Sequence, residues 1–321
     1  MSSKLSKIIS TAVFGALLGT AGVSHAADFP EHRVNLVVWA GAGGALDTYG
    51  RELSKLLDEQ AGWQTKVVNR PGGSGSVGMS YVLNQPADGY NILVHTSTLT
   101  FSIARNLMPY KLDDLRFVRA MQGEPSALAV RKDANLQSAQ DFVDAMKKDP
   151  ESLRVGGYGT GGFHQYMLYQ FMTAKDFKAG WIPYDASGKV ALALMGDHLD
   201  AAMMTPSSGL SQVESGDIRL LGISTEERSS YFPDVPTFKE QGIDLDDMVW
   251  RGVSVKAGTP DDVVASIQAA LDKVQASDEW KTFMKQQKQE NLSIKDGDFR
   301  SMAEKQLKTQ SEFLKDAGFQ K

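Results

Sequence analysis

Apolar and polar positions fall into short repeating blocks along this chain. Val34-Asn35-Leu36-Val37-Val38-Trp39 is a nearly continuous, β-branched apolar run closed by Gly41-Ala42-Gly43-Gly44, the pattern of a buried strand running into a tight turn. Asp47 then precedes Tyr49, Leu53, Leu56 and Leu57 at helical spacing, so the unit reads strand, glycine loop, helix. The same order recurs, with strand candidates at 66–68, 91–95, 127–130, 154–156, 180–183, 201–204 and 220–223 and helical patterns between most of them. Over 138–148, Ser138 stands as N-cap and Phe142, Val143 and Met146 share one face. Gly258-Thr259-Pro260-Asp261-Asp262 predicts another helix start, with Thr259 as cap and Pro260 at the first position. Val264, Ile267, Leu271 and Val274 form the face that follows. Two further helices carry Trp280, Phe283 and Met284, then Phe299, Met302, Leu307 and Phe313. Strands alternating with helices of this length predict an α/β fold with mainly parallel sheets covered on both sides.

Length and composition set outer bounds. At 321 residues the chain has room for two domains or one large one. Lys4 and Lys7 precede an apolar run over 8–23 that ends in Ser24-His25-Ala26, a small-x-small cleavage site, so residues 1–26 read as a removed signal peptide and the mature protein as exported to a periplasm. The run is short and interrupted by Ser10, Thr11, Gly15, Gly19 and Thr20, which weighs against a membrane anchor. Without Lys4 and Lys7 the 34 basic side chains become 32 against 39 acidic ones, a formal charge of −7. An acidic balance argues against nucleic acid as a partner. Cysteine is absent, which excludes disulfides, thiolate nucleophiles and cysteine-held metals.

Two glycine loops carry the candidate chemistry. Ala42, Gly43, Gly44, Ala45, Leu46 and Asp47 lie between a strand's carboxyl end and a helix N-terminus, where open α/β sheets bind ligands and where free backbone N–H groups and the helix dipole attract anions without a basic side chain. A second loop, Gly156-Gly157-Tyr158-Gly159-Thr160-Gly161-Gly162-Phe163-His164, repeats the arrangement ahead of a helical pattern over 165–173. Thr160 and His164 offer polar groups, and Tyr158 and Phe163 offer apolar walls. Gly73-Ser74-Gly75-Ser76-Val77-Gly78 matches G-x-G-x-x-G in form, but no strand directly precedes it and no acid follows near Thr98, so it predicts a helix entry instead of a dinucleotide site. Histidines 32, 95, 164 and 198 lack metal-ligand spacing, and no nucleophile elbow or phosphate-binding loop is present. Neither metal nor cofactor is expected.

A series of segments resembles the periplasmic solute-binding subunits of tripartite tricarboxylate transporters, the Bug or TctC-like family. They are Gly43-Gly44-Ala45-Leu46-Asp47, Asn69-Arg70-Pro71-Gly72-Gly73-Ser74-Gly75, Pro86-Ala87-Asp88-Gly89-Tyr90, Pro183-Tyr184 with Gly188, Gly196-Asp197-His198-Leu199-Asp200, Pro233-Asp234-Val235-Pro236-Thr237 and Ala257-Gly258-Thr259-Pro260. The resemblance implies a monomeric, non-enzymatic two-domain periplasmic binding protein of type II-like fold, with residues 27–122 plus 250–321 in one domain and 123–249 in the other. It also implies a ligand in the interdomain cleft, a small carboxylate gripped largely by backbone amides and bridging waters from the two glycine loops, and membrane transporter subunits as partners. Thr96, Ser97 and Thr98 stand at a strand end, positioned either to add bonds or to cap the next helix. Tyr184 and Thr205 are candidates from the second domain. Asp47 matches the family's acid, yet a bare carboxylate repels an anion, so capping and loop bracing are its expected work. Two departures add bulk, Ala45-Leu46 in the first loop and Phe163-His164-Gln165 in the second, and imply an apolar or aromatic far end to the ligand. A carboxylate sensor feeding a signalling partner and a periplasmic enzyme acting on a carboxylate are the competing readings. The enzyme would need a converging nucleophile, metal or acid/base pair.

Overall fold

The computed structural model describes residues 29–150 and 152–319; the leader expected over 1–26 lies outside the described residues. The first apolar run forms β1 (Val34–Val38), with Val34, Leu36, Val37 and Val38 fully buried. It lies between β2 (Thr65–Asn69) and β3 (Asn91–Thr96), parallel to both, and a strand covered on both faces has no polar alternation to show. α1 (Ala45–Ala61) connects β1 to β2, buries Tyr49, Leu53, Leu56 and Leu57, and ends at Gly62, whose φ of 72° is the left-handed conformation a glycine cap supplies. α2 (Ser76–Leu83) and α3 (Thr98–Ala104) precede and follow β3, and β4 (Leu115–Pro125) joins the same sheet.

From Ala127 the chain builds a second sheet. Its elements are β5 (Ala127–Arg131), α4 (Ala139–Lys148), β6 (Val155–Tyr158), α5 (Phe163–Lys175), β7 (Ile182–Tyr184), α6 (Ser187–Met195), β8 (Ala201–Met204), α7 (Leu210–Glu214) and β9 (Ile218–Ile223), with strand order β7-β6-β8-β5-β9. β10 (Met248–Lys256) then returns to the first sheet, followed by α8 (Asp261–Ala276), α9 (Asp278–Gln287), β11 (Glu290–Lys295) and α10 (Asp296–Asp316). The first sheet's order is β11-β4-β10-β3-β1-β2. α4 begins as its sequence predicts: the Asp141 N–H donates to Ser138 Oγ at 3.1 Å while the Asp141 carboxylate accepts from the Ser138 N–H at 3.0 Å, a reciprocal cap. α8 starts one residue later than expected, with Pro260 in the cap position; the Thr259 hydroxyl donates instead to the Lys256 carbonyl at 2.7 Å.

All eight strand candidates are present, but the expectation of mainly parallel sheets is corrected to mixed ones. β10 runs antiparallel to β3 and β4, β11 to β4, and β5 to β8 and β9. Three strands were also not legible as strands. β4 and β10 are almost wholly buried yet contain Arg119, Gln122, Glu124 and Arg251, so neither reads as an apolar run. These groups tolerate burial because they are paired; Arg119 Nη1 donates to Asp272 Oδ1 at 2.7 Å and to Gln275 Oε1 at 2.9 Å. β11 is a polar edge strand with half its residues exposed. α10 bridges the two halves: Phe299 packs in the core of the first sheet, whereas Phe313 and Leu314 join Tyr166 and Phe171 in that of the second. Among the described residues no helix is long and apolar enough to cross a membrane.

Candidate functional site

The loop between β1 and α1 is built around a buried carboxylate. Gly43 adopts φ of 82°, open to glycine and strained for other residues, and its N–H donates to Asp47 Oδ2 at 2.8 Å. Arg51 Nε reaches the same oxygen at 2.8 Å, and Asn69 Nδ2 donates to Asp47 Oδ1 at 2.8 Å and to the Ala40 carbonyl at 3.0 Å. Burial pushes the Asp47 pKa up, but these bonds and the Arg51 charge outweigh it and hold the carboxyl below its ordinary range. Asp47 is therefore an internal brace, as its chemistry required. The neighbouring G-x-G-x-x-G segment has a packing explanation. A Cβ on Gly75 would stand 2.3 Å from the Trp39 ring, and one on Gly78 2.5 Å from the Trp39 Cβ, so the glycines let α2 close over β1's end.

The loop between β6 and α5 repeats the device. The Gly161 N–H donates to Gln165 Oε1 at 2.7 Å, again a glycine amide held by the side chain four residues on. The Gly159 N–H donates to the Tyr184 carbonyl at 2.8 Å, and the Trp181 indole N–H to the Gly159 carbonyl at 2.8 Å. Gly44 and Gly162 occupy the cap positions, and neither helix start has a side-chain cap. Helix geometry thus leaves the N–H groups of Ala45 and Leu46, and of Phe163 and His164, without intrahelical acceptors, at the positive ends of two helix dipoles.

Those four residues line one cleft of about 760 Å³. Of the sequence-predicted site residues, Ala45, Leu46, Thr96, Ser97, Thr98, Tyr158, Thr160, Gly161, Gly162, Phe163, His164 and Thr205 border it. Ala42, Gly43, Gly44, Asp47 and Tyr184 do not: the first four form the braced turn behind the α1 terminus, and Tyr184 serves the second loop through its carbonyl. Thr96 acts partly as a local cap, its Oγ1 accepting from the Thr98 N–H at 3.1 Å. The sequence reading missed Ser74, Phe101, Ser102, Arg105, Leu107, Glu124, Ser187, Ser207, Ser208, Val249, Arg251, Gln287 and Gln289. No local signal marked the charged pair among them, because Glu124 and Arg251 keep their own stretches from reading as strands.

Glu124 and Arg251 form a buried ion pair on the cleft wall, Nη2 to Oε2 at 2.9 Å. Arg251 Nη1 also donates to Gln122 Oε1 at 2.7 Å and Gln289 Oε1 at 3.1 Å, and Ser207 Oγ donates to Glu124 Oε1. Burial raises the Glu124 pKa, but Arg251 and Ser207 prevail and keep it below the ordinary carboxylate value. His164 is buried with Nδ1 3.3 Å from Ser126 Oγ. Burial pushes its pKa down to about 4 against the pull of Glu124, so the ring is neutral at pH 7. Among the described residues no cluster of three His, Asp or Glu side chains could hold a metal ion.

Comparison with known proteins gives a consistent picture. The family described as the tripartite tricarboxylate transporter family receptor matches residues 50–319. A UPF0065 protein of Bordetella pertussis is 26% identical over 309 residues, covering 95% of each chain. Among solved structures, a TctC solute binding protein from Polaromonas superposes with a TM-score of 0.84 at 25% identity, covering 90% of this chain and 99% of the other. An R. palustris protein solved with adipate superposes with a TM-score of 0.70 at 24% identity, covering 91% and 99%.

Proposed function

Given that the chain belongs to the tripartite tricarboxylate transporter family of solute-binding receptors, we propose that its cleft captures a small organic carboxylate in the periplasm and delivers it to the membrane subunits of such a transporter. One observation carries this reading: the first two residues of α1 and of α5, from different sheets, line the same cleft. Two helix N-termini facing one space favour an anion, and their amides replace water around a carboxylate with no charged side chain. The adipate in the R. palustris relative agrees in chemical class.

In this reading the amides of Ala45, Leu46, Phe163 and His164 hold the carboxylate. The hydroxyls of Thr96, Ser97, Thr98, Thr160 and Thr205 add bonds directly or through water. Ala42, Gly43, Gly44 and Asp47 hold the first terminus in place, and the Tyr184 carbonyl steadies the second loop. The first sheet with its helices forms one lobe and the second sheet with its helices the other, the crossings expected at 122/123 and 249/250 falling inside β4 and β10 of the first sheet, and a ligand touching both lobes favours the closed arrangement. Leu46, Phe101 and Phe163 give the remainder of the ligand an apolar surface. The engagement of the titratable groups on the cleft wall supports binding over chemistry: Glu124 is bound up by Arg251 and Ser207, and the buried His164 ring is turned to Ser126.

Isothermal titration with adipate and with its uncharged diamide tests the reading. Adipate should bind and the diamide should bind at least tenfold more weakly, since amide N–H groups at helix termini discriminate by charge. Equal affinities for the two would refute it.

A further inference from the structure

The cleft lining includes three side chains of full or potential charge that are already engaged. Arg251 and Glu124 neutralise each other, and His164 is buried beside Ser126. Arg105 differs. It directly follows α3, is exposed, lines the cleft, and makes no side-chain hydrogen bond or ion pair among the described residues. The cleft therefore has one uncompensated cation beyond the two helix termini.

We infer that Arg105 reads a second anionic group, so that the preferred ligand is a dicarboxylate with an apolar spacer. This rests on the carboxylate reading above and adds its distal contact. α3 carries Thr98 at its start and Arg105 just past its end, on the order of 10 Å apart at 1.5 Å per residue. Phe101 lies between them on the cleft lining, and Tyr158 and Phe163 of the second loop line the same space. A hydroxyl-rich or compact acid would leave these rings without complementary surface, whereas a methylene chain or an aromatic ring covers them. Arg105 has the geometry for a terminal carboxylate, because a guanidinium offers paired N–H donors.

The test is the affinity of the full mature chain for succinate, adipate and suberate against butanoate, hexanoate and octanoate, measured by titration calorimetry for the wild type, Arg105→Met and Arg105→Lys. Arg105 is exposed, so its replacement leaves the core intact. The wild type should prefer the diacid of each length. Arg105→Met should weaken binding of the best diacid about five- to tenfold, the scale of a partly solvated charge pair, and leave the monoacid of equal length unchanged. Arg105→Lys should recover part of the preference. Equal weakening of mono- and diacids in Arg105→Met, or no weakening of either, would overturn the role of Arg105 alone. A wild type that binds none of the six acids would instead overturn the carboxylate reading itself.

Discussion

Replacing Arg251 by Met should unfold the protein's balance of charges from the inside. Both members of the Arg251–Glu124 pair are at most 10% exposed, and Arg251 also satisfies the side-chain carbonyls of Gln122 and Gln289. Arg251→Met leaves the Glu124 carboxylate with Ser207 as its remaining side-chain partner in a buried place. Breaking one side of a buried pair costs about 3–5 kcal/mol, whereas removing both charges together is often near neutral. Glu124→Gln combined with Arg251→Met should therefore cost no more than about 1–2 kcal/mol, well short of the sum of the single variants. Urea unfolding of the four chains at pH 7 measures this coupling. The pH dependence has a defined sign. In the wild type the Glu124 pKa lies below its ordinary value, so the stability it contributes is present above the ordinary carboxylate range and is lost as pH falls through the depressed value. In Arg251→Met burial dominates and raises that pKa, so the deficit relative to wild type should shrink between pH 7 and pH 4. A single-variant cost below about 1 kcal/mol, or additive single effects, would refute the assignment of this pair.

Three other substitutions probe the supports of the cleft. Asp47→Ala removes the acceptor of the Gly43, Arg51 and Asn69 bonds and should cost about 2–3 kcal/mol of stability together with at least tenfold in adipate affinity; unchanged affinity in the titration would contradict its bracing role. His164 is held neutral with a pKa of about 4 against a usual 6.5, so its contribution is complete above pH 6.5 and declines as pH falls toward 4. His164→Gln should accordingly reduce the acid-induced loss of stability over that window by up to about 3 kcal/mol, read as a flatter urea-midpoint profile, while His95, also pushed down by burial, supplies the remaining histidine slope. Gly75→Ala should lose about 2–4 kcal/mol, because its Cβ meets the Trp39 ring at 2.3 Å and its φ is 98°; a loss under about 1 kcal/mol would show that the contact relaxes freely.

The division between what the sequence displayed and what it hid follows the physics of burial. β1, β3, β5 and β8 are covered by apolar partners and appear as apolar runs. β4 and β10 are equally buried but carry Arg119, Glu124 and Arg251, whose partners lie far along the chain, Asp272 for Arg119 and each other for the last two. No local pattern reveals a charge whose compensation is more than 100 residues away, and with those strands went the mixed character of the sheets. The two glycine loops were legible because a turn at a strand end declares itself locally. Which of their amides face the cleft was not, since the brace by Asp47 and that by Gln165 each engage a glycine N–H and leave the next turn's amides to the open space. Arg105 and Val249 entered the lining only through the packing of β10 and α3 on the rest of the fold.

The capture of a carboxylate by two helix termini is tested most directly by an amide-resolved titration of the isotopically labelled protein with adipate. The N–H resonances of Ala45, Leu46, Phe163 and His164 should move together with one shared dissociation constant, because in this mode all four amides bond the same carboxylate. Saturable binding that leaves these four resonances in place, with the shifts confined to another surface such as that around Tyr231 and Pro236, would contradict it.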